Sequence, residues 1–322
     1  MSESKRLSFL RSLVLLGFSL LALLSGPAAE AARRGLSLCA RSIVPALFPF
    51  FVLSNLLSAL GLAQALAHLA APLMRRLFRV SGTGAAAFLI GVTGGYPLGA
   101  AAVAAQYRKG ELDEAEAKRL VCFCNNSGPA FIVGAAGSAA FGSARAGFLL
   151  YAAHVLAALA LGFLFSRRAV TPAPREAAPA PGASFAEAFP EAILSAVKST
   201  LLICGYVVLF TVAVGLLDAL GVFAEAAALL ARLSGLGLGR SRALLTGLLE
   251  LGSGIGALRG QSPDAVSMAL AAFLLGWGGL SVQLQTRAVL ADTPLIHAPL
   301  GRCKLLHGLL SALIAWLLWR IG

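Results

Sequence analysis

Uninterrupted apolar runs alternate with short polar connectors along this chain. The runs at 12–29, 42–65, 144–166, 199–222 and 300–320 are each long enough to cross a bilayer as a helix, which takes about 20 residues. Other apolar segments are interrupted by Gly, Pro and polar residues: "AAAFLIGVTGGYPLGAAAVAAQ" (85–106), "CFCNNSGPAFIVG" (122–134), "RALLTGLLELGSGIGALRG" (242–260) and "AVSMALAAFLLGWGGLSVQLQTRAVL" (265–290). The pattern predicts an all-α, polytopic membrane protein with glycine-broken or re-entrant helical segments.

The order of these segments repeats. From 42 onward the chain reads span, amphipathic helix, glycine-broken segment, charged connector "YRKGELDEAEAKR" (107–119), second broken segment, span. The same order recurs from 199, "SALGL" is echoed by "DALGV", and "GVTGGYPLGA" lies opposite "LELGSGIGAL". A proline-rich stretch, "SRRAVTPAPREAAPAPGASFAEAFPEA" (166–192), separates the two and reads as an extended linker. The expected organisation is an N-terminal anchor (1–35), a first repeat (36–166), a linker (167–192) and a second repeat (193–322). With an odd number of crossings in each, the repeats are inverted, an arrangement common among secondary transporters.

An unpaired backbone N–H or C=O costs several kcal/mol in hydrocarbon, so irregular backbone at depth survives only under protein or beside a wet cavity. The breaks are therefore candidate binding segments. In Asn125-Asn126-Ser127-Gly128-Pro129 the proline removes a donor, Gly128 can take the turn, and the Asn and Ser side chains can bind freed backbone groups or a ligand. A helix restarting at Pro129 aims its N-terminal N–H groups at the break, which suits an anion. Gly94, Gly95, Tyr96 and Pro97 repeat this chemistry with a ring and a hydroxyl. The break at Gly278 and Gly279 is followed by Ser281, Gln283 and Gln285, spaced to line one side of an extended strip. The alternative for each is a tight packing site of small residues, with polar side chains bonded across helices.

Glu250, followed by Gly252 and Ser253, lies in "TGLLELGSG" with no basic residue nearer than Arg242 and Arg259. An intramembrane carboxylate can carry a proton, coordinate a cation or accept hydrogen bonds from a substrate, and near a helix end it can also simply face trapped water. Lys198, Arg259 and Arg287 stand near segment ends, where they can attract an anion or snorkel to the interface.

Composition agrees: 58% of residues are apolar and 12% charged. The net charge of +12 is scattered over short loops, as positive-inside loops beside anionic lipid would be, and nucleic acid is not an expected partner. The basic N-terminus and Arg167/Arg168 favour a cytoplasmic start and a cytoplasmic linker. Lys5, Arg6 and Arg11 precede a leucine-rich core and "GPAAEAA" (26–32), which also resembles a cleavable leader; the retained anchor is preferred because everything downstream is embedded too. The five cysteines form no C-x-x-C pair and read as packing residues. His68, His154, His297 and His307 have no metal-ligand spacing, so no metal or cofactor is expected. With no nucleophile elbow, phosphate loop or zinc-protease motif, the chain is not read as an enzyme.

"SIVPALFPFFVLSNLL", "GVTGGYPLGA", "RKGELDEAEAKRL" and "CNNSGPAFIVG", in this order over residues 40–135, resemble the YlbJ family of sporulation integral membrane proteins. That family lies within the nucleoside-recognition (Gate) group, related to concentrative nucleoside transporters. The resemblance implies a transporter of dipicolinic acid at the outer forespore membrane, with binding between two re-entrant hairpins. Gly94, Gly95, Tyr96 and Pro97 match in one break and Asn125, Asn126, Ser127, Gly128 and Pro129 in the other. The implied partners are the lipid bilayer and an anionic dicarboxylate or a nucleoside, with a proton or sodium ion as candidates for coupling. A non-transporting scaffold of the spore envelope is the alternative from another class.

Overall fold

The computed structural model describes residues 3–167, 169 and 184–321, and every described element is helical. Helix α1 (Glu3–Leu23) is followed by α2 (Ser25–Leu38), a π-helical turn (Cys39–Ile43) and α3 (Val44–Ala59). The apolar run at 12–29 thus changes helix at Leu24. From Ser25 to Ala59 the backbone is helical for 35 residues, passing through position 35, the expected end of the anchor. Helices α2 and α9 (Phe185–Ala219) pack closely: a β-carbon on Gly35 would lie 3.0 Å from the Val208 Cα, and one on Gly215 only 2.4 Å from Ala31.

After α3 come α4 (Leu62–Phe78), α5 (Gly82–Gly94), α6 (Leu98–Arg108) and α7 (Glu114–Cys124), then a π-helical segment (Ala130–Ala140) and α8 (Ala144–Ser166). After α9 come α10 (Val222–Ser234), α11 (Leu238–Leu249), α12 (Leu251–Gly256), α13 (Ala265–Trp277), α14 (Gly279–Val289), a 3-10 turn (Pro294–His297) and α15 (Leu300–Ile321). The two series correspond in local geometry. Gly61 (φ 76°) turns α3 into α4 and Gly221 (φ 74°) turns α9 into α10. The chain bends by 99° between residues 68–78 and α5, and by 119° between α10 and α11. Asp113 caps α7 through the Glu116 N–H, and Asp264 caps α13 through the Ser267 N–H.

Helix α6 folds back on α5, and α12 on α11. The 13 and 11 residues of α5 and α6 rise only about 20 and 16 Å, and the 12 and 6 of α11 and α12 about 18 and 9 Å, all short of a hydrocarbon core of about 30 Å, so each pair forms a hairpin too short for either arm to span. By length and composition, Ser25–Ala59, Ala144–Ser166, Phe185–Ala219, Ala265–Val289 and Leu300–Ile321 can each cross a membrane. Leu53, Leu201, Leu209 and Leu313 project outward from these spans, as side chains solvated by lipid do. At the end of α15, Arg320 stacks on Trp316 with 4.5 Å to the ring centroid, an interfacial anchor.

The linker read at 167–192 lies largely outside the described residues. Its last part is helix instead: Ser184 and Glu187 form a capping box that starts α9 at Phe185, strong enough to nucleate helix ahead of Pro190. The buried core is widest around Phe51, Tyr96, Phe131, Ile203, Leu251 and Leu274, contributed by both series of helices.

Candidate functional site

The first hairpin tip and the break between α7 and the 130–140 helical segment interlock through their backbones. Gly95 (φ 86°) turns the chain between α5 and α6, and a β-carbon there would lie 2.7 Å from the Gly128 nitrogen. The hairpin arms pinch the carbonyl at the end of α7: β-carbons on Gly91 and Gly99 would fall 1.7 and 2.2 Å from the Cys124 oxygen. Only hydrogen at both positions permits this approach.

The polar residues of the break satisfy groups that the interrupted helix sets free. Asn126 Nδ2 donates to the Phe123 carbonyl at 2.9 Å, and Asn125 Nδ2 donates to Thr286 Oγ1 at 2.8 Å. The Ser127 N–H donates to His154 Nε2 at 3.0 Å. His154 and His307 are in ring contact, centroids 4.4 Å apart, and His307 Nε2 lies 3.0 Å from the His154 carbonyl. The Oδ1 atoms of Asn125 and Asn126 are buried and have no hydrogen-bond partner among the described residues.

At the second hairpin tip Glu250 is 2% exposed. It is the N-cap of α12, accepting the Gly252 N–H at Oε1 (2.8 Å) and the Ser253 N–H at Oε2. The Ser253 hydroxyl lies 3.3 Å from Thr211 Oγ1. Gly278 (φ 80°) and Gly279 (φ 70°) break α13 from α14; a β-carbon on Gly279 would be 3.0 Å from the Leu251 nitrogen, and one on Gly278 3.4 Å from Tyr96 Oη. Tyr96 Oη donates to the Leu275 carbonyl at 3.0 Å, and Trp277 Nε1 to the Leu248 carbonyl at 3.1 Å. All four breaks therefore meet in the interior.

Between them lies a cavity of about 50 Å³, lined by Tyr96, Ser127, Gly128, Glu250, Gly252 and Gln285 together with apolar side chains that include Ile43, Phe131 and Val282. Of the residues singled out from sequence, Tyr96, Ser127, Gly128, Glu250 and Gly252 border this space. Gly94, Gly95, Pro97, Asn125, Asn126, Pro129, Ser253, Gly278 and Gly279 stand behind the wall as tip or break residues. The expected polar strip is corrected. Residues 281–285 are helix, so Ser281 and Gln285 share a face and Gln283 lies across it, bonded to the Trp277 carbonyl at 3.4 Å; of the strip only Gln285 borders the cavity. Lys198, Arg259 and Arg287 are exposed at segment surfaces.

Sequence reasoning missed Lys304. It lies in the first turns of the last span, where a lysine ordinarily reaches for the interface, yet it is 2% exposed. Its Nζ donates to the Asn125 carbonyl and to Tyr96 Oη (3.3 Å), and sits 4.7 Å from the centroid of the Tyr96 ring. The only signal in the sequence is a Lys and a His three residues apart in an apolar helix, a spacing that puts both on one face.

The lipid-facing spans and inward-folded hairpins define a multi-pass integral membrane protein built around a small interior site. Residues 40–173 match the Gate family, described as nucleoside recognition. The sporulation integral membrane protein YlbJ of Bacillus subtilis (strain 168) is 33% identical over 318 residues, with 90% of this chain and 77% of that protein covered. This chain belongs to the same family of sporulation membrane proteins. No solved structure matches it.

Proposed function

We propose that this chain is a secondary transporter of a small organic anion, with dipicolinate the first candidate substrate and the outer forespore membrane its place of action. The observation that carries the proposal is the meeting of two hairpin tips and two interrupted helical segments around one interior cavity. Backbone interrupted at membrane depth is costly unless protein or a wet cavity covers it, and the two series of helices, α3 to α8 and α9 to α15, each supply one hairpin and one broken segment.

The wall supports an anion on one side. The 130–140 helical segment opens beside the cavity at Gly128, so its N-terminal dipole faces the space, and Tyr96 can contact an aromatic ring. The opposite tip already holds a carboxylate of its own, Glu250, bound to backbone N–H groups. A flat anion fits this asymmetry with its charge at the Gly128 end. The family description, nucleoside recognition, favours a nucleoside as second reading: Gln285 and Glu250 offer hydrogen bonds and Tyr96 a stacking face.

Uptake of labelled dipicolinate into proteoliposomes of the purified protein, with unlabelled nucleosides as competitors, tests the proposal. Saturable uptake, unaffected by nucleosides and lost in Glu250→Gln, is the expected result. Competition by nucleosides moves the assignment to the second reading. Absence of uptake above empty liposomes under several imposed ion gradients argues for the scaffold role.

A further inference from the structure

Lys304 is a buried ammonium with no carboxylate within ion-pair distance among the described residues. Such a charge is expensive inside a membrane protein unless the neighbours replace its hydration shell. Here they do so with the groups that otherwise coordinate a small metal cation. The Asn125 carbonyl is freed at the C-terminal end of α7, where the helix dipole is negative. Tyr96 adds its hydroxyl oxygen and the face of its ring. Asn125 keeps a further buried oxygen, Oδ1, without a donor among the described residues. Carbonyls of unwound helix and the C-terminal ends of half-helices are the usual ligands of coupling ions in transporters with broken helices.

The remaining groups around the ammonium are neutral or weakly acidic. Helix α7 brings the thiols of Cys122 and Cys124, α8 brings His154, and α15 itself brings Cys303 and His307. A sodium ion and the ammonium cannot occupy the same ligands, whereas a proton can leave and return without displacing the side chain.

We propose that the Lys304 ammonium is a tethered cation filling a monovalent-cation site formed by the Asn125 break and the Tyr96 tip, so that a proton on Lys304 takes the part of a coupling sodium ion. The coupling half rests on the transport proposed above; the site itself does not.

Two measurements separate these halves. In the first, the thermal unfolding midpoint of the purified protein in detergent is measured in sodium chloride and in N-methylglucamine chloride. Wild type is expected to show no difference. Lys304→Ala is expected to unfold several degrees lower and to recover part of the loss in sodium or methylammonium. Lys304→Gln, whose amide oxygen can join the ligands of a bound ion, is the second variant should the alanine form not fold, and it too is expected to gain sodium sensitivity. Stabilisation of wild type by sodium, or no response to sodium in the variants, overturns the proposal. In the second measurement, dipicolinate uptake by wild type is driven by an imposed pH gradient or by an imposed sodium gradient. Uptake on the pH gradient alone is expected, and uptake driven by sodium overturns the coupling. If neither gradient drives uptake, the transport reading fails while the unfolding measurement still decides the cation site.

Discussion

Glu250 and Asn126 are both buried polar side chains at a break, and both bond to their own backbone. Their substitution is therefore expected to act first on the shape of the break. Removing an N-cap costs about 1 kcal/mol, so Glu250→Ala should lower the unfolding midpoint and leave the second tip disordered. In Glu250→Gln an amide N–H₂ would face a backbone N–H, donor against donor, and uptake should fall even where the fold persists. Asn126→Ala orphans the Phe123 carbonyl, at a cost of about 1–3 kcal/mol. Ser127 offers a contrast: its N–H, retained in Ser127→Ala, makes the bond to His154, and the residue borders the cavity. Ser127→Ala is expected to keep the wild-type midpoint and to change the apparent KM for dipicolinate. Melting curves and uptake kinetics on the same preparations check all four variants.

Helices and hairpins set the second scale. The first hairpin can close on α7 only because Gly91 and Gly99 present no side chain to the Cys124 carbonyl. A methyl group at Gly91 overlaps backbone that has nowhere to go, so Gly91→Ala should destabilise by at least the about 1–3 kcal/mol typical of overpacking. Gly205, within α9, is different: a methyl group there would meet nothing within 4 Å. Gly205→Ala is expected to be neutral or stabilising, since alanine is the better helix former. Comparing the two midpoints distinguishes hairpin docking from a general intolerance of alanine. The spans at 144–166 and 300–320 are legible in sequence to within a residue or two, because a lipid-facing helix must be apolar over its whole length. The start of α9 is hidden because proline and alanine suggest a linker, while the capping box that overrides them is only two residues.

For the whole molecule the decisive fact is that both hairpin tips, the Asn125 break and α14 all contribute to one interior cavity with room for a few water molecules. On the transport reading, a substrate bound there should be felt first at the hairpin tips. Hydrogen exchange read by mass spectrometry should locate this response. Dipicolinate is expected to change deuterium uptake at 93–98 and 249–256 and to leave the core of α8 unaltered. Equal changes throughout, or none at the tips, would remove the hairpins from the binding event.

Hydropathy and helix breaking are local properties, and the bilayer punishes every exception to them. Hence the spans at 144–166 and 300–320, the four interruptions and the repeated order of segments can be read from the order of residues alone, whereas the run at 12–29 is split at Leu24 and the first full-length span is Ser25–Ala59. Which polar groups meet across the interior depends on helix rotation and on contacts between residues far apart in the chain, such as Lys304 and Asn125, separated by 179 positions. It took the packed helices to bring Lys304 to the first break, set His154 against His307, choose Gln285 over Gln283 for the cavity wall, and turn Glu250 back onto its own helix. Those outcomes follow from which face of each helix is turned inward, a property that uniformly apolar segments do not encode in their composition.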